Sequence, residues 1–125
     1  MVFDWTRYLL LAQELAERRN DEASLRSAVS RAYYAAFCIA RNRLLQENEK
    51  IPATGEAHAT VWTKYRNSVQ KHRKDIGTTG DRLRRSRNRA DYDNEFPDIS
   101  EKVEQALANA KDLLESLEGL NSGKH

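Results

Sequence analysis

Five arginines fall within the eight residues from Arg82 to Arg89, and Asn88, Asp91 and Tyr92 stand beside them. Guanidinium groups hold phosphates through charge and paired hydrogen bonds, Asn hydrogen-bonds bases, and a Tyr ring stacks on them. The set therefore suits a nucleotide or an RNA strand. On a helix, Arg87 and Asp91 lie one turn apart, as do Asn88 and Tyr92, which gives two adjacent polar rows. A helix that needs only to be soluble alternates its charges, whereas Arg82 to Arg89 is entirely basic or neutral. Lys64, Arg66, Lys71 and Arg73 continue the positive character upstream. Together with Arg82, Arg84, Arg85 and Arg89 they form a candidate nucleic-acid-binding strip.

The net charge of +2 conceals this asymmetry. Residues 64–89 hold 10 basic against 2 acidic side chains, and residues 91–125 hold 3 against 9. Such a split implies either a basic surface aimed at a polyanion, or a basic helix neutralised by an acidic last helix through Glu101, Glu104 and their neighbours. Other chemistry is excluded more readily. No glycine-rich phosphate loop is present, and His58, His72 and His125 lack metal-ligand spacing with one another or with Cys38. No metal and no cofactor is expected. The single cysteine has no disulfide partner and reads as an inert core thiol in a reducing compartment. No apolar run reaches the ~18 residues of a membrane span, and the start lacks the features of a signal peptide. A cytoplasmic protein without membrane attachment is the expectation.

With 125 residues the chain suits a single domain, and 2 prolines and 5 glycines favour helices over strands and turns. The candidate site must be positioned by the stretch from Ser27 to Leu45, where Ala28, Ala32, Ala36 and Ala40 recur every fourth residue. They form a ridge of small side chains on which a neighbouring helix can lie closely. This central helix is predicted from Glu22 to about Gln46. Arg31 inside it either reaches out to the rim of the bundle or serves a site. Asp4 caps a first helix that runs to about Arg18. Pro52 and Gly55 mark a loop. A third helix is predicted from about Ala57 to His72, with His58, Val61, Trp62, Tyr65 and Val69 as its stripe. GTTGD, Gly77 to Asp81, reads as a turn, and a fourth helix follows from Arg82 to Asp93 with a thin stripe of Leu83, Ser86 and Ala90. The last helix begins after Pro97, carries Ile99, Val103, Ala106, Leu107, Ala110, Leu113, Leu114 and Leu117 inward, and ends near Gly119. Trp5 and Trp62 are read as core, and residues 118–125 as a disordered tail. The expected fold is all-α, a single up-and-down bundle of about five helices.

SRAYYAAF in the second helix, a His opening the third, and R-N-x-A-D-Y near the end of the fourth resemble the small free-standing proteins of the HEPN superfamily. The resemblance spans about Asp4 to Leu120. It implies an all-helical domain that commonly forms homodimers. Members with the full motif R-N-x-x-x-H resemble metal-independent ribonucleases, often toxins paired with a nucleotidyltransferase-fold antitoxin, or parts of defence systems. Carried over by position, the motif Arg is Arg87, its polar neighbour is Asn88, and the His position falls on Tyr92. A Tyr titrates near 10 and is a poor base at neutral pH. Ala90, Asp91 and Tyr92 match a branch with the signature A-D-Y, for which ribonuclease activity does not follow from the resemblance; an ion pair from Asp91 would orient Arg87 under either reading. His58 is the one imidazole that could replace the missing His. Three readings follow. The first is a binding module for RNA, a nucleotide or a partner protein, in a toxin–antitoxin or defence setting. The second is a ribonuclease using Arg87, Asn88 and Tyr92, and the third is a purely structural helical homodimer.

Overall fold

The computed structural model describes residues 2–121, which form five helices and, among the described residues, no strand. They are α1 (Thr6–Ala16), α2 (Glu22–Gln46), α3 (Ala57–Arg66), α4 (Lys71–Tyr92) and α5 (Ile99–Asn121). No helix is long and apolar enough to cross a membrane. α2 packs against each of the other four helices. Its alanine ridge is the reason, because Ala28, Ala32, Ala36 and Ala40 are all fully buried and let neighbouring backbones come close. Ala12 and Ala16 of α1 and Ala106 and Ala110 of α5 supply equally small buried side chains.

The ends of α1 and α2 follow from local chemistry. The Asp4 carboxylate accepts from the Thr6 backbone N–H at 3.0 Å and from its hydroxyl, and these bonds hold its pKa below the usual value. At the far end of α2, Asn48 takes the left-handed conformation with φ 66°. The Glu49 N–H then reaches Leu44 O and the Asn48 N–H reaches Leu45 O, both at 3.0 Å, which satisfies carbonyls the helix leaves open.

The third and fourth helices differ from the sequence expectation. α3 stops at Arg66, the break falls at residues 67–70, and α4 runs without interruption through Gly77 to Asp81. GTTGD is therefore not a turn. A Cβ on Gly77 would lie 2.6 Å from the Arg66 backbone, and one on Gly80 would overlap the Trp62 ring. Both glycines serve close approach, Gly77 to the end of α3 and Gly80 to the Trp62 ring. A helical glycine costs roughly 0.5–1 kcal/mol relative to Ala, and here the fully buried Trp62 offsets it. Val69, placed in the stripe of α3 by its spacing, is 95% exposed in the connection. α5 continues to Asn121 with Leu117 and Leu120 buried, so residues 118–121 are helical and not tail; residues 122–125, and with them His125, lie outside the described residues.

Candidate functional site

With α4 continuous, its inward stripe reads Ile76, Gly80, Leu83, Arg87 and Ala90 at alternating spacings of four and three. Arg87 occupies a core position. It is 7% exposed, and its guanidinium carbon lies 5.1 Å and 5.4 Å from the ring centres of Tyr33 and Tyr34 on α2. Its partners are few. Nη1 donates to the Tyr34 hydroxyl at 3.2 Å and faces Asp91 Oδ2 across a long 3.8 Å, while Nε is buried with no partner. Asp91 is also 3.4 Å from the Ser30 hydroxyl, which donates to it. Asp91 thus orients Arg87 without saturating it. A buried guanidinium with unmet donors is costly, and Arg87 keeps capacity for a further acceptor.

Beside Arg87 stands a wall of rings. His58 at the start of α3 stacks on Phe37 with ring centres 4.1 Å apart and lies 5.9 Å from the Tyr34 ring. Its Nδ1 is 2.7 Å from the Tyr33 hydroxyl, which in turn accepts from Trp62 Nε1 at 3.1 Å. Burial first, and then Arg87, Arg84 and Arg41, push the imidazole pKa down to about 4. Burial pushes Tyr33 upward, so both groups are neutral at pH 7. Arg84 is half-buried and its Nε, like that of Arg87, has no partner. The arrangement presents positive charge and donors against flat rings, which is the equipment for binding an anion that carries a ring.

The remaining sequence candidates lie elsewhere. Tyr92 is 75% exposed, because five residues at 100° each turn it about 140° away from Arg87 on the helix. Asn88 is exposed as well. Along the basic strip, most cations already hold a carboxylate: Lys64 with Glu49, Arg66 and Arg85 with Asp81, Lys71 with Asp75, Arg73 with Glu47, and Arg89 with Asp93. Arg82 is exposed. The neutralising carboxylates come from α4 itself, its C-cap and the end of α2, whereas Glu104 of the acidic last helix pairs with Arg19. Glu47 is the strongest of them, accepting from Arg73 through both oxygens at 2.7 and 3.1 Å and held below the usual carboxylate pKa chiefly by that contact.

Sequence reasoning missed Arg26. From α2 its Nη1 donates to the carbonyls of Ala90 at 3.1 Å and Asp93 at 2.6 Å, so it caps the end of α4 just beyond Arg87. A cation at a helix C-terminus is favourable, and here it also fixes the turn that carries Asp91. Arg31 lies at the rim with its guanidinium 5.0 Å from the Tyr8 ring centre, and Arg41 lies over Phe37 at 5.8 Å. Burial raises the Cys38 pKa, in keeping with an inert thiol. Among the described residues no group of His, Cys, Asp and Glu is arranged to hold a metal.

No curated protein and no solved structure matches the chain. A family model does, the HEPN domain, over residues 6–120. That match runs from the first residue of α1 to the end of the buried stripe of α5, and it includes every residue of the Arg87 site. With nearly its whole length matched and its all-helical bundle described, the chain belongs to the HEPN domain family.

Proposed function

We propose that this protein is an RNA- or nucleotide-binding module whose site is the cluster of Arg87, Arg84, Tyr34 and His58 where α2, α3 and α4 meet. The observation that carries the reading is the burial of Arg87 with its Nε unpartnered beside Arg84, Tyr34 and His58. A phosphate oxygen supplies the missing acceptor, and rings alongside suit a sugar or base. The outer basic strip contributes less, because most of its cations already hold a carboxylate and are exposed to screening. The test is titration of a fluorescent, 5′-phosphorylated RNA oligonucleotide into the full chain. Binding should occur at ~50 mM salt and weaken linearly with log salt, and Arg87→Ala should remove it. Binding that persists in Arg87→Ala sinks the reading.

The ribonuclease alternative through Arg87 and Tyr92 is disfavoured within one subunit by the angle of about 140° between them on α4. We expect no metal-independent cleavage of RNA; robust cleavage lost in Arg87→Ala would establish the enzyme instead. On the motif resemblance we further propose a toxin–antitoxin or defence setting, a nucleotidyltransferase-fold partner, and a twofold homodimer. The exposed Tyr92 ring supports the last of these, and a monomer in sedimentation at tens of micromolar would exclude it.

A further inference from the structure

We propose that His58 is a fixed hydrogen-bond donor to the ligand, not a base, because the chain from Trp62 through Tyr33 leaves its remaining proton on Nε2. The inference rests on the ligand-binding reading above and deepens it. Tyr33 is fully buried, and its hydroxyl already accepts the Trp62 indole N–H. Its own proton needs an acceptor, and among the described residues the one in reach is His58 Nδ1 at 2.7 Å. Were Nδ1 instead to donate, the Tyr33 proton would be left unpaired in the core, which native interiors avoid. The imidazole is held neutral by its burial and its arginine neighbours, so Nδ1 accepts and Nε2 carries the hydrogen.

His58 also lines a cavity of about 420 Å³ between α2 and the loop that follows it. Arg41 stands in the same cavity, with no carboxylate partner among the described residues, and Leu45, Ile51 and Pro52 form an apolar wall. Arg41 and His58, the charged and imidazole groups that line this cavity, offer donors only: the guanidinium nitrogens beyond the Nε that holds Asn42, and Nε2–H. The ligand this site recognises is therefore an acceptor with negative charge and a hydrophobic body. A nucleotide phosphate fits, one oxygen accepting from Nε2–H and the sugar and base lying toward Ile51 and Pro52. A neutral imidazole whose donor nitrogen faces the ligand cannot take a proton from a ribose hydroxyl there.

The test uses the full chain in two measurements. Long-range ¹H–¹⁵N correlation on the labelled, ligand-free protein should show His58 with Nδ1 bare and Nε2 protonated, and Tyr33→Phe should lose that single tautomer. Titration with 5′-phosphorylated diuridylate should find His58→Gln, which keeps a donor at the position of Nε2, within about threefold of the wild type, and His58→Ala weaker by about tenfold or more. An Nδ1–H tautomer, or equal losses in the Gln and Ala variants, overturns the inference while Arg87-dependent binding would leave the binding reading intact. No binding by the wild type overturns both.

Discussion

The two faces of α4 carry similar residues and opposite prospects. On the outer face Arg85 and Lys71 are exposed, each held by an acidic residue one turn away on its own helix, at 2.7 and 2.9 Å. On the inner face Arg87 is buried with a 3.8 Å ion pair, one hydrogen bond from Nη1 and an orphaned Nε. Short, exposed pairs contribute little to stability and release nothing to a ligand without competition. A long, buried, incomplete pair is costly to keep and ready for an acceptor. Charge density along a sequence locates the helix, but which cation the packing leaves unsatisfied is set by the fold.

Changes on the inner face should therefore be large and those on the outer face small. The largest effect on folding is expected from Gly80→Val, whose side chain would occupy the volume of the Trp62 ring; a loss of about 3 kcal/mol in chemical denaturation is expected. A stability within ~0.5 kcal/mol of the wild type would show that α3 can move away from α4. Arg26→Ala removes the cap from the end of α4 and should cost about 1–2 kcal/mol, with faster amide exchange at Ala90 to Asp93. If exchange there is unchanged, the turn carrying Asp91 is held by something other than Arg26.

Acid should act through His58 in a smaller, graded way. The unfolded imidazole takes a proton near 6.5, and the folded one, opposed by burial and by Arg87, Arg84 and Arg41, only near 4. Between those values the unfolded chain binds more protons, so stability should fall as pH drops through that window. His58→Gln should flatten this part of the profile, and an unchanged slope would place the titration on other groups. Arg85→Ala, on the outer face, is expected to change stability by less than about 0.5 kcal/mol in the same assay.

Most of the fold was legible because periodicity survives burial. α1, α2 and α5 sit where their stripes put them, and the alanine ridge identified the helix that all others touch. The error at GTTGD came from reading glycine as a breaker when its role is set by a residue 18 positions earlier, Trp62, whose ring needs the space. That error also hid the burial of Arg87. With α4 begun at Arg82, its stripe appeared to be Leu83, Ser86 and Ala90; once the helix runs from Lys71, the series from Ile76 and Gly80 passes through Arg87, and the buried arginine becomes readable from spacing. The Arg87–Asp91 turn was visible as a one-turn pair. The contacts of Arg87 with Tyr34 and of His58 with Tyr33 were not, since they join residues 53 and 25 positions apart and depend on how α3 and α4 lie against α2. Tyr92 was drawn in by the motif position, and the helical angle separates it from Arg87.

The central claim, that the core keeps Arg87 for a phosphate and not for stability, is tested most directly by Arg87→Met measured for both properties. Met fills a similar volume without an unpaired charge, and replacing buried ionic groups by apolar ones is often neutral or stabilising. The melting temperature should stay level or rise, while affinity for 5′-phosphorylated RNA falls about 100-fold, equivalent to about 2.7 kcal/mol. A variant that loses stability yet binds RNA as the wild type does would contradict the account, making Arg87 part of the scaffold and leaving the ligand site to be found elsewhere.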